Sequence, residues 1–218
     1  MAAKEVAMAE TGIRFFGRMS ASATHEIKNT LAIINENAGL LEDLSMMAEK
    51  GHPLAPERVM DISQRMAKQV SRADLVLKKM NKFAHSVDLS REVADFEKTV
   101  MFVLDLASRI LEMQGVVVEI VSPKSSMVVD INLFYLQNVI WRAIEIAADS
   151  ITGKKQVMIS FGTDSAPAIW FLMDSVKKGS MDDLFGSKED RALIAYLDMT
   201  IEKNEEDTGF GLLWTKSS

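Results

Sequence analysis

A histidine and a carboxylate stand side by side near the start of the chain, at His25 and Glu26, and an amide follows at Asn29. A neutral imidazole nitrogen can attack a phosphoryl group and form a phosphohistidine. A neighbouring carboxylate can accept the proton of the other ring nitrogen, or hold the tautomer that leaves the attacking nitrogen free. The types and order of these residues therefore favour a reactive histidine at position 25.

The segment that carries His25 has the periodicity of a long helix. Apolar residues recur there at three- and four-residue steps, at Ile13, Phe16, Ala23, Ile27, Leu31, Ile34, Ala38 and Leu41. At about 100° per residue, His25 lies roughly 200° from Ile27, and Asn29 is one turn further along the same face. We therefore expect His25 to point outward, where a docking partner can reach it.

Two long helices are predicted before the chain changes character. The first covers about 8–48 and the second about 57–85, with a short connection of glycine and prolines between them. Because such a hairpin buries only one face of each helix against the other, a second copy is expected to cover the remaining apolar stripes. Residues 1–88 are thus predicted to form a helical-hairpin domain that assembles into a homodimeric four-helix bundle.

Residues 89–218 are predicted to form a second domain in which helices and strands alternate. Helices are expected over 96–113, from a cap at Asp130 or Asn132 to about 150, and over 188–203. Strands are expected over 116–121, 127–129, 156–161, 168–173 and 210–214. Trp141 and Trp170 fall on apolar patterns and are expected in the core. A sheet covered by helices on one face follows, so the fold class is α+β.

The composition excludes several classes of protein. The 218 residues carry a net charge of −6 and include no cysteine. Disulfides and cysteine-ligated zinc sites are therefore impossible, and general nucleic-acid binding is disfavoured because it depends on basic patches. No apolar run approaches the roughly 20 residues that span a bilayer. We therefore expect a cytoplasmic protein with neither nucleic acid nor membrane as a partner.

The stretch His25-Glu26-Ile27-Lys28-Asn29-Thr30-Leu31 resembles the H-box of sensor histidine kinases, which usually reads H-E-[LI]-[KR]-[NT]-P-L. Thr30 replaces the usual proline. The hairpin is similar to the dimerisation and histidine-phosphotransfer domain of that family. The chain from Asp95 onward is similar in element order to its ATP-binding domain. The resemblance implies a dimeric four-helix bundle followed by an α/β sandwich of the histidine-kinase ATPase type.

The resemblance also implies roles for the residues of this motif. His25 would carry the phosphoryl group, and Glu26 would assist it. The spacing E-x-x-N of Glu26 and Asn29 marks family members that help to dephosphorylate their response regulator, with the amide orienting a water. Lys28 would meet phosphate or an acidic partner surface, and a solvated lysine is the alternative. The implied partners are the receiver domains of response regulators.

The second domain departs from the family where nucleotide chemistry is expected. The two magnesium-binding asparagines of the N-box fall on Arg142 and Ile146, and an isoleucine offers a hard cation no oxygen. The motif D-x-G-x-G reads Asp174-Ser175-Val176-Lys177-Lys178, so only Asp174 remains as a vestige of adenine binding. Residues 208–212 resemble the second glycine box, but a terminal strand is the better interpretation because the chain ends soon after. We therefore predict that this chain binds no metal and no ATP.

The leading hypothesis is a histidine phosphotransferase that shuttles a phosphoryl group between response-regulator aspartates through His25. The receiver would supply magnesium, so ATP is not needed. One alternative is an active ATP-dependent sensor histidine kinase with a divergent nucleotide site. A second is a phosphatase or sequestering module that binds a response regulator, and a third is a purely structural dimer.

Overall fold

The computed structural model describes residues 2–123, 125–162 and 166–215, and it begins with two long helices. Helix α1 covers Ala2–Glu49 and helix α2 covers Pro56–His85. The chain divides into two compact units. One is Met19–Ala84, and the other combines Met1–Arg18 with His85–Ser218. The predicted domain boundary between residues 88 and 89 stays a prediction.

Within the unit Met19–Ala84, the fully buried residues repeat at seven-residue intervals or multiples of seven, with one four-residue step. They are Met19, Ala23, Thr30, Asn37 and Leu44 on α1, and Ile62, Val76 and Phe83 on α2. This spacing places one stripe of each helix in the seam of the hairpin.

The seam of α1 is not the stripe that its apolar residues predict. Leu31 is 54% exposed, whereas Thr30 is 1% exposed. Thr30 Oγ1 donates to the Ile27 carbonyl at 2.7 Å, and Asn37 Nδ2 donates to the Ile33 carbonyl at 2.7 Å. Because these polar groups are satisfied by their own helix, they can be buried without a partner across the seam. A count of apolar residues therefore points to the wrong stripe.

The second unit contains two sheets and four further helices. The helices are α3 Phe96–Leu106, α4 Ser108–Gln114, α5 Leu133–Ser150 and α6 Lys188–Tyr196. The strands are β1 Glu92–Asp95, β2 Val117–Ile120, β3 Val128–Ile131, β4 Gln156–Gly162, β5 Ala168–Met173, β6 Met199–Lys203 and β7 Gly209–Trp214. Strands β1 and β3 pair antiparallel, and the larger sheet has the order β2-β4-β5-β7-β6. Among the described strands of this sheet, β2 and β4 pair in parallel and the other pairs are antiparallel.

Helix α5 lies against β4 and β5 and against helices α3 and α6, so helices cover one face of the sheet. Trp141 on α5 is 2% exposed, as predicted for a core residue. The predicted α+β class is confirmed, with a long helical hairpin followed by an α/β sandwich. The dimeric four-helix bundle stays a prediction.

The start of α1 belongs to this second unit. The rings of Phe15 and Phe134 are 5.7 Å apart, and Ala7 and Met8 pack with Ala192 of α6. Gly12 allows close approach, since a methyl group there would lie 3.1 Å from Phe134. The first turns of α1 therefore help to cover α5 and α6.

Two predicted helices require correction, and two strands were not predicted. The helix predicted over 96–113 is broken at Ala107, and strand β1 was not predicted. The helix predicted over 188–203 ends at Tyr196, because Asp198 takes a left-handed conformation with φ of 53° and β6 follows. Strand β6 then pairs with β7. Pairing with a strand that comes later in the chain has outweighed the local helical pattern.

Two single residues are also settled by the fold. Asn132 and not Asp130 caps α5, since its side chain accepts from the Tyr135 backbone N–H at 3.0 Å, while Asp130 lies within β3. Trp170 is only half-buried and alternates with buried Ile169 and Phe171 on β5. Its prediction as a core residue was wrong, because it lies on the face of the sheet opposite the helices.

Among the residues that the structure describes, no helix combines the length and the apolar character needed to cross a membrane.

Candidate functional site

His25 lies on the exposed side of α1, in an unbroken part of the helix. Lys28 and Asn29 are also exposed, and Glu26 is half-buried. Asn29 follows His25 by four residues and therefore shares its face. The side chains of His25 and Asn29 form no hydrogen bond or ion pair within the part of the chain that the structure describes. Both side chains are thus available to a partner.

Glu26 is held by the second helix of the hairpin. Arg72 donates from Nε at 3.1 Å and from Nη2 at 3.0 Å, both to Glu26 Oε1. No described residue bonds to Oε2, so one carboxylate oxygen stays open to a further donor. Neighbouring residues on a helix point about 100° apart, so Glu26 reaches toward α2 while His25 points away from the seam. The ion pair with Arg72 holds the carboxylate of Glu26, the residue that follows His25 in the sequence.

The backbone around His25 is held by the seam on either side of it. Ala23 and Thr30 are both buried, and the Thr30 hydroxyl bonds back to the Ile27 carbonyl. A proline at position 30 would lack a backbone N–H and would clash with the preceding turn. Threonine instead keeps the helix continuous. The motif therefore lies within an uninterrupted stretch of α1.

In the second unit, Arg142 forms a two-pronged ion pair with Asp190. Nε is 3.0 Å from Oδ1 and Nη2 is 3.2 Å from Oδ2. Asp190 is 3% exposed and stands in the first turn of α6, whose N-cap Ser187 accepts from its backbone N–H. Burial lowers the pKa of Arg142, but the hydrogen bond and the charge of Asp190 outweigh this and raise it. The guanidinium therefore stays charged and joins α5 to α6.

A second charged group lies one turn from Arg142. Burial raises the pKa of Glu145, although the positive charges of Arg18 and Arg142 and the hydrogen bond from Arg18 work against this rise. The guanidinium of Arg18 also lies over the Trp141 ring, 5.2 Å from its centroid. Two arginines and two acids thus form three ion pairs in one small region.

These charges surround a cavity of about 310 Å³ between α1, α5 and α6 of the second unit. Its lining residues are Thr11, Arg14, Phe15, Arg18, Asn138, Trp141, Arg142, Glu145, Ser187, Glu189 and Asp190. Asn138 is 3% exposed, and its Nδ2 has no hydrogen-bond partner among the described residues. Arginines and acids are equal in number here, so the lining is close to neutral.

The residues at this place do not fit magnesium nucleotide. A magnesium ion needs oxygen ligands, whereas the two positions that match the N-box asparagines hold Arg142 and Ile146. The structure also fails to bring Asp174 to this cavity. Asp174 is exposed and lines a different cavity of about 380 Å³, together with Met158, Leu172 and Thr208. Within the described residues, no group of three or more histidine, aspartate or glutamate side chains could hold a metal ion.

Gly209 and Gly211, which lie in the segment that resembles the second glycine box, are part of strand β7, as the strand interpretation predicted. A methyl group at Gly209 would lie 2.7 Å from the Phe171 carbonyl oxygen, and one at Gly211 would lie 2.9 Å from the Trp170 ring. These glycines therefore serve the packing of β7 against β5.

Three residues that form these ion pairs were not predicted from the sequence, namely Arg72, Asp190 and Arg18. Arg72 is 46 residues from Glu26, Asp190 is 48 from Arg142, and Arg18 is 127 from Glu145. Their positions in the sequence carry no local sign of these pairs. Only the packing of α1 on α2, and of α1, α5 and α6 together, brings the partners within bonding distance.

The chain is similar to solved structures of histidine kinases. The Acinetobacter baumannii histidine kinase AdeS has a TM-score of 0.46 at 16% identity, covering 88% of this chain and 98% of that chain. The cytoplasmic segment of histidine kinase QseC has a TM-score of 0.44 at 11% identity, covering 68% and 95% respectively. Histidine kinase ThkA in complex with the response regulator TrrA has a TM-score of 0.42 at 14% identity, covering 93% and 61%. No protein-family model and no curated protein matches the sequence.

Proposed function

We propose that this chain is a histidine phosphotransferase that relays a phosphoryl group between the aspartates of two response-regulator receiver domains. The observation that carries the proposal is the free, outward-facing imidazole of His25 beside an anchored Glu26. A phosphorelay histidine must be reached by a folded partner, and an exposed position on a long, regular helix allows that approach.

In the proposed transfer, one nitrogen of the neutral His25 ring bonds to phosphorus as the bond from phosphorus to the receiver's aspartate oxygen breaks. The aspartate leaves as a carboxylate with the electron pair. The proton of the other ring nitrogen passes to Glu26 or to water. The reverse sequence delivers the phosphoryl group to a second receiver. Magnesium is supplied by the receiver, and Lys28 is proposed to contact the phosphate or an acidic surface of that partner.

We also propose that ATP is not the source of the phosphoryl group. Arg142 stands where a magnesium-binding asparagine is expected, and its guanidinium is fixed to Asp190. A cationic group repels the metal ion that would accompany the nucleotide. Asp174, the vestige of adenine recognition, lies at a separate cavity. These two features support the proposal that the second domain has a role other than nucleotide hydrolysis.

A homodimeric four-helix bundle is proposed as the assembled form. Both helices of the hairpin carry large apolar side chains that are more than half exposed at helical spacing, namely Leu31 on α1 and Met60, Val70 and Leu77 on α2. Ile27, Ile34 and Leu41 extend the stripe of α1 and are half-buried. A second hairpin would bury these stripes at about 25 cal/mol per Å² of apolar surface.

The experiment is a transfer assay with a receiver domain carrying a labelled aspartyl phosphate. Wild type is expected to become labelled, and His25→Ala is expected to stay unlabelled because the accepting nitrogen is gone. His52→Ala, which removes an exposed histidine in the interhelical turn, is the matched control and is expected to become labelled. Magnesium and ATP, used in place of the receiver, are expected to leave His25 unlabelled. Label on the His25→Ala variant would overturn the assignment.

A second candidate function is dephosphorylation of the receiver, which the exposure of Asn29 on the face of His25 favours. Asn29 would orient a water toward the aspartyl phosphate, and no phosphohistidine would form. The same assay separates the two functions. Loss of inorganic phosphate release in Asn29→Ala, with His25→Ala still active, would favour the phosphatase over the phosphotransferase.

A further inference from the structure

We propose that the outer face of the five-stranded sheet, opposite α5, binds a basic segment of a partner protein and receives a lysine or arginine side chain. We call the surface formed by Met158, Trp170, Leu172, Asp174, Glu202 and Glu206 the outer sheet face. It shares no residue with the motif around His25 or with the lining of the cavity beside Arg142. The proposal therefore does not depend on the phosphotransfer function.

The strand register places these side chains together. Leu172 pairs with Met158 of β4, and Trp170 pairs with Gly211 of β7, which in turn pairs with Glu202 of β6. Residues paired across neighbouring strands point to the same side of a sheet, and residues two apart on one strand share that side. Met158, Trp170, Leu172 and Glu202 are therefore on one face. Met158 is 38% exposed, and Trp170 and Leu172 are half-buried.

Trp170 lies flat on the sheet because both neighbouring strands carry glycine beside it. A methyl group at Gly211 would lie 2.9 Å from the indole atoms Cδ2 and Cε2, and one at Gly162 would lie 3.2 Å from Nε1. Glycines on both sides leave space for the indole to spread across β5. The indole therefore packs closely against both glycines and stays partly exposed. An exposed indole face attracts cations through its negative π surface.

The charges around this aromatic platform are negative. A cavity of about 380 Å³ adjoins it, with Met158 and Leu172 as an apolar floor and the exposed acids Asp174 and Glu206 in its lining. None of the described residues in that lining is a lysine, arginine or histidine. Glu202 is exposed on β6, and the nearby Lys203 already lies 3.9 Å from both Asp182 and Asp207.

The combination fits a long cationic side chain better than it fits other ligands. The methylene stem of lysine or arginine can lie on Leu172 and Met158, while its charged end reaches Asp174, Glu206 or the Trp170 ring. A second copy of this chain is a poor occupant, because a two-fold contact would bring the same acids face to face. A chain with a net charge of −6 also repels an acidic partner. Charge complementarity therefore favours a basic segment with apolar neighbours.

The test measures the anisotropy of a dye-labelled peptide, acetyl-Leu-Arg-Leu-Arg-Leu-amide, titrated with the full chain at low ionic strength. The same peptide with glutamate in place of arginine is the control ligand. We expect the arginine peptide to bind and the glutamate peptide not to bind. Trp170→Ala and the double variant Asp174→Asn with Glu206→Gln are each expected to weaken binding about tenfold.

A matched double variant, Glu57→Gln with Glu112→Gln, removes two exposed acids elsewhere and is expected to bind like wild type. If Trp170→Ala unfolds, Trp170→Phe keeps an aromatic ring and is expected to retain most of the binding. If the two double variants weaken peptide binding equally, binding depends on net charge alone, and the proposal is overturned. Absence of binding to wild type would also overturn it. A change in oligomeric mass caused by Trp170→Ala would instead identify an interface between copies, which contradicts the proposal.

Discussion

His25 and Arg142 both stand on long helices, but their side chains are used in opposite ways. The His25 imidazole is exposed and forms no bond within the described residues, whereas the Arg142 guanidinium is bound through two nitrogens to a buried Asp190. A side chain without internal partners can react with an arriving protein at little structural cost. A side chain that satisfies a buried charge cannot leave it cheaply. The contrast leaves His25 accessible on the hairpin, whereas Arg142 joins two helices of the second unit.

The largest effect is expected from Arg142→Ala. This change leaves the buried carboxylate of Asp190 without its partner, and an unsatisfied buried acceptor costs about 1–3 kcal/mol of the free energy of unfolding. Urea unfolding, followed by a spectroscopic signal of the second unit, measures this loss. Arg65→Ala breaks the exposed pair with Asp61 and is expected to cost less than about 0.5 kcal/mol. Similar losses for the two variants would remove the contrast between a pair with a buried carboxylate and an exposed pair.

A smaller effect is expected from the titration of Glu145. Because its pKa in the folded chain is raised, the folded state binds more protons than the unfolded state between the unperturbed value of 4.5 and the folded pKa. The free energy of unfolding contributed by this group therefore falls as pH rises through that window, with a slope of at most about 1.4 kcal/mol per pH unit.

Glu145→Gln removes this titration. The slope of unfolding free energy against pH just above 4.5 is therefore expected to be less negative in the variant than in wild type. Glu112→Gln, at an exposed position on α4, is the control and is expected to keep the wild-type slope. If the slope of unfolding free energy against pH is the same in Glu145→Gln and wild type, burial does not raise the pKa of Glu145. The measurement is chemical denaturation repeated at several pH values.

Apart from the control variants, the smallest change in stability is expected from Arg72→Ala, which breaks the ion pair with Glu26. The Arg72 side chain is 59% exposed, and exposed pairs contribute about 0.2–1 kcal/mol. The transfer reaction is expected to respond more than stability does, through an altered pH profile of His25 labelling, because Glu26 loses its anchor. Arg72→Lys keeps the charge and is expected to restore part of the wild-type profile. Destabilisation equal to that of Arg142→Ala would make the two regions alike and contradict the comparison.

Much of the fold follows from local sequence patterns. The hairpin, the exposed direction of His25, the strands β4 and β5 and the cap at Asn132 agree with periodicity and capping rules. The errors lie where a distant segment competes with a local pattern. Residues 199–203 have helical neighbours but pair with β7, and Trp170 follows an apolar pattern but lies outside the helix-covered core.

The seam of the hairpin is a third such case. Thr30 and Asn37 enter it, although neither is apolar, because each side chain bonds to a carbonyl of its own helix. Leu31 stays exposed in the single chain. The apolar stripe that the sequence shows is therefore not the intramolecular seam, and it remains available for the proposed second copy.

The sequence by itself determined that His25 and Asn29 lie on the outer side of a helix, because helical geometry depends only on neighbours along the chain. It also determined that Arg142 and Ile146 stand at the positions that resemble the N-box asparagines, because residue identity alone decides that. Only the tertiary structure decided which residue Arg142 binds. The pairs of Arg142 with Asp190 and of Glu26 with Arg72 join residues 48 and 46 positions apart. Such partners are chosen by the packing of whole helices, which no local pattern records.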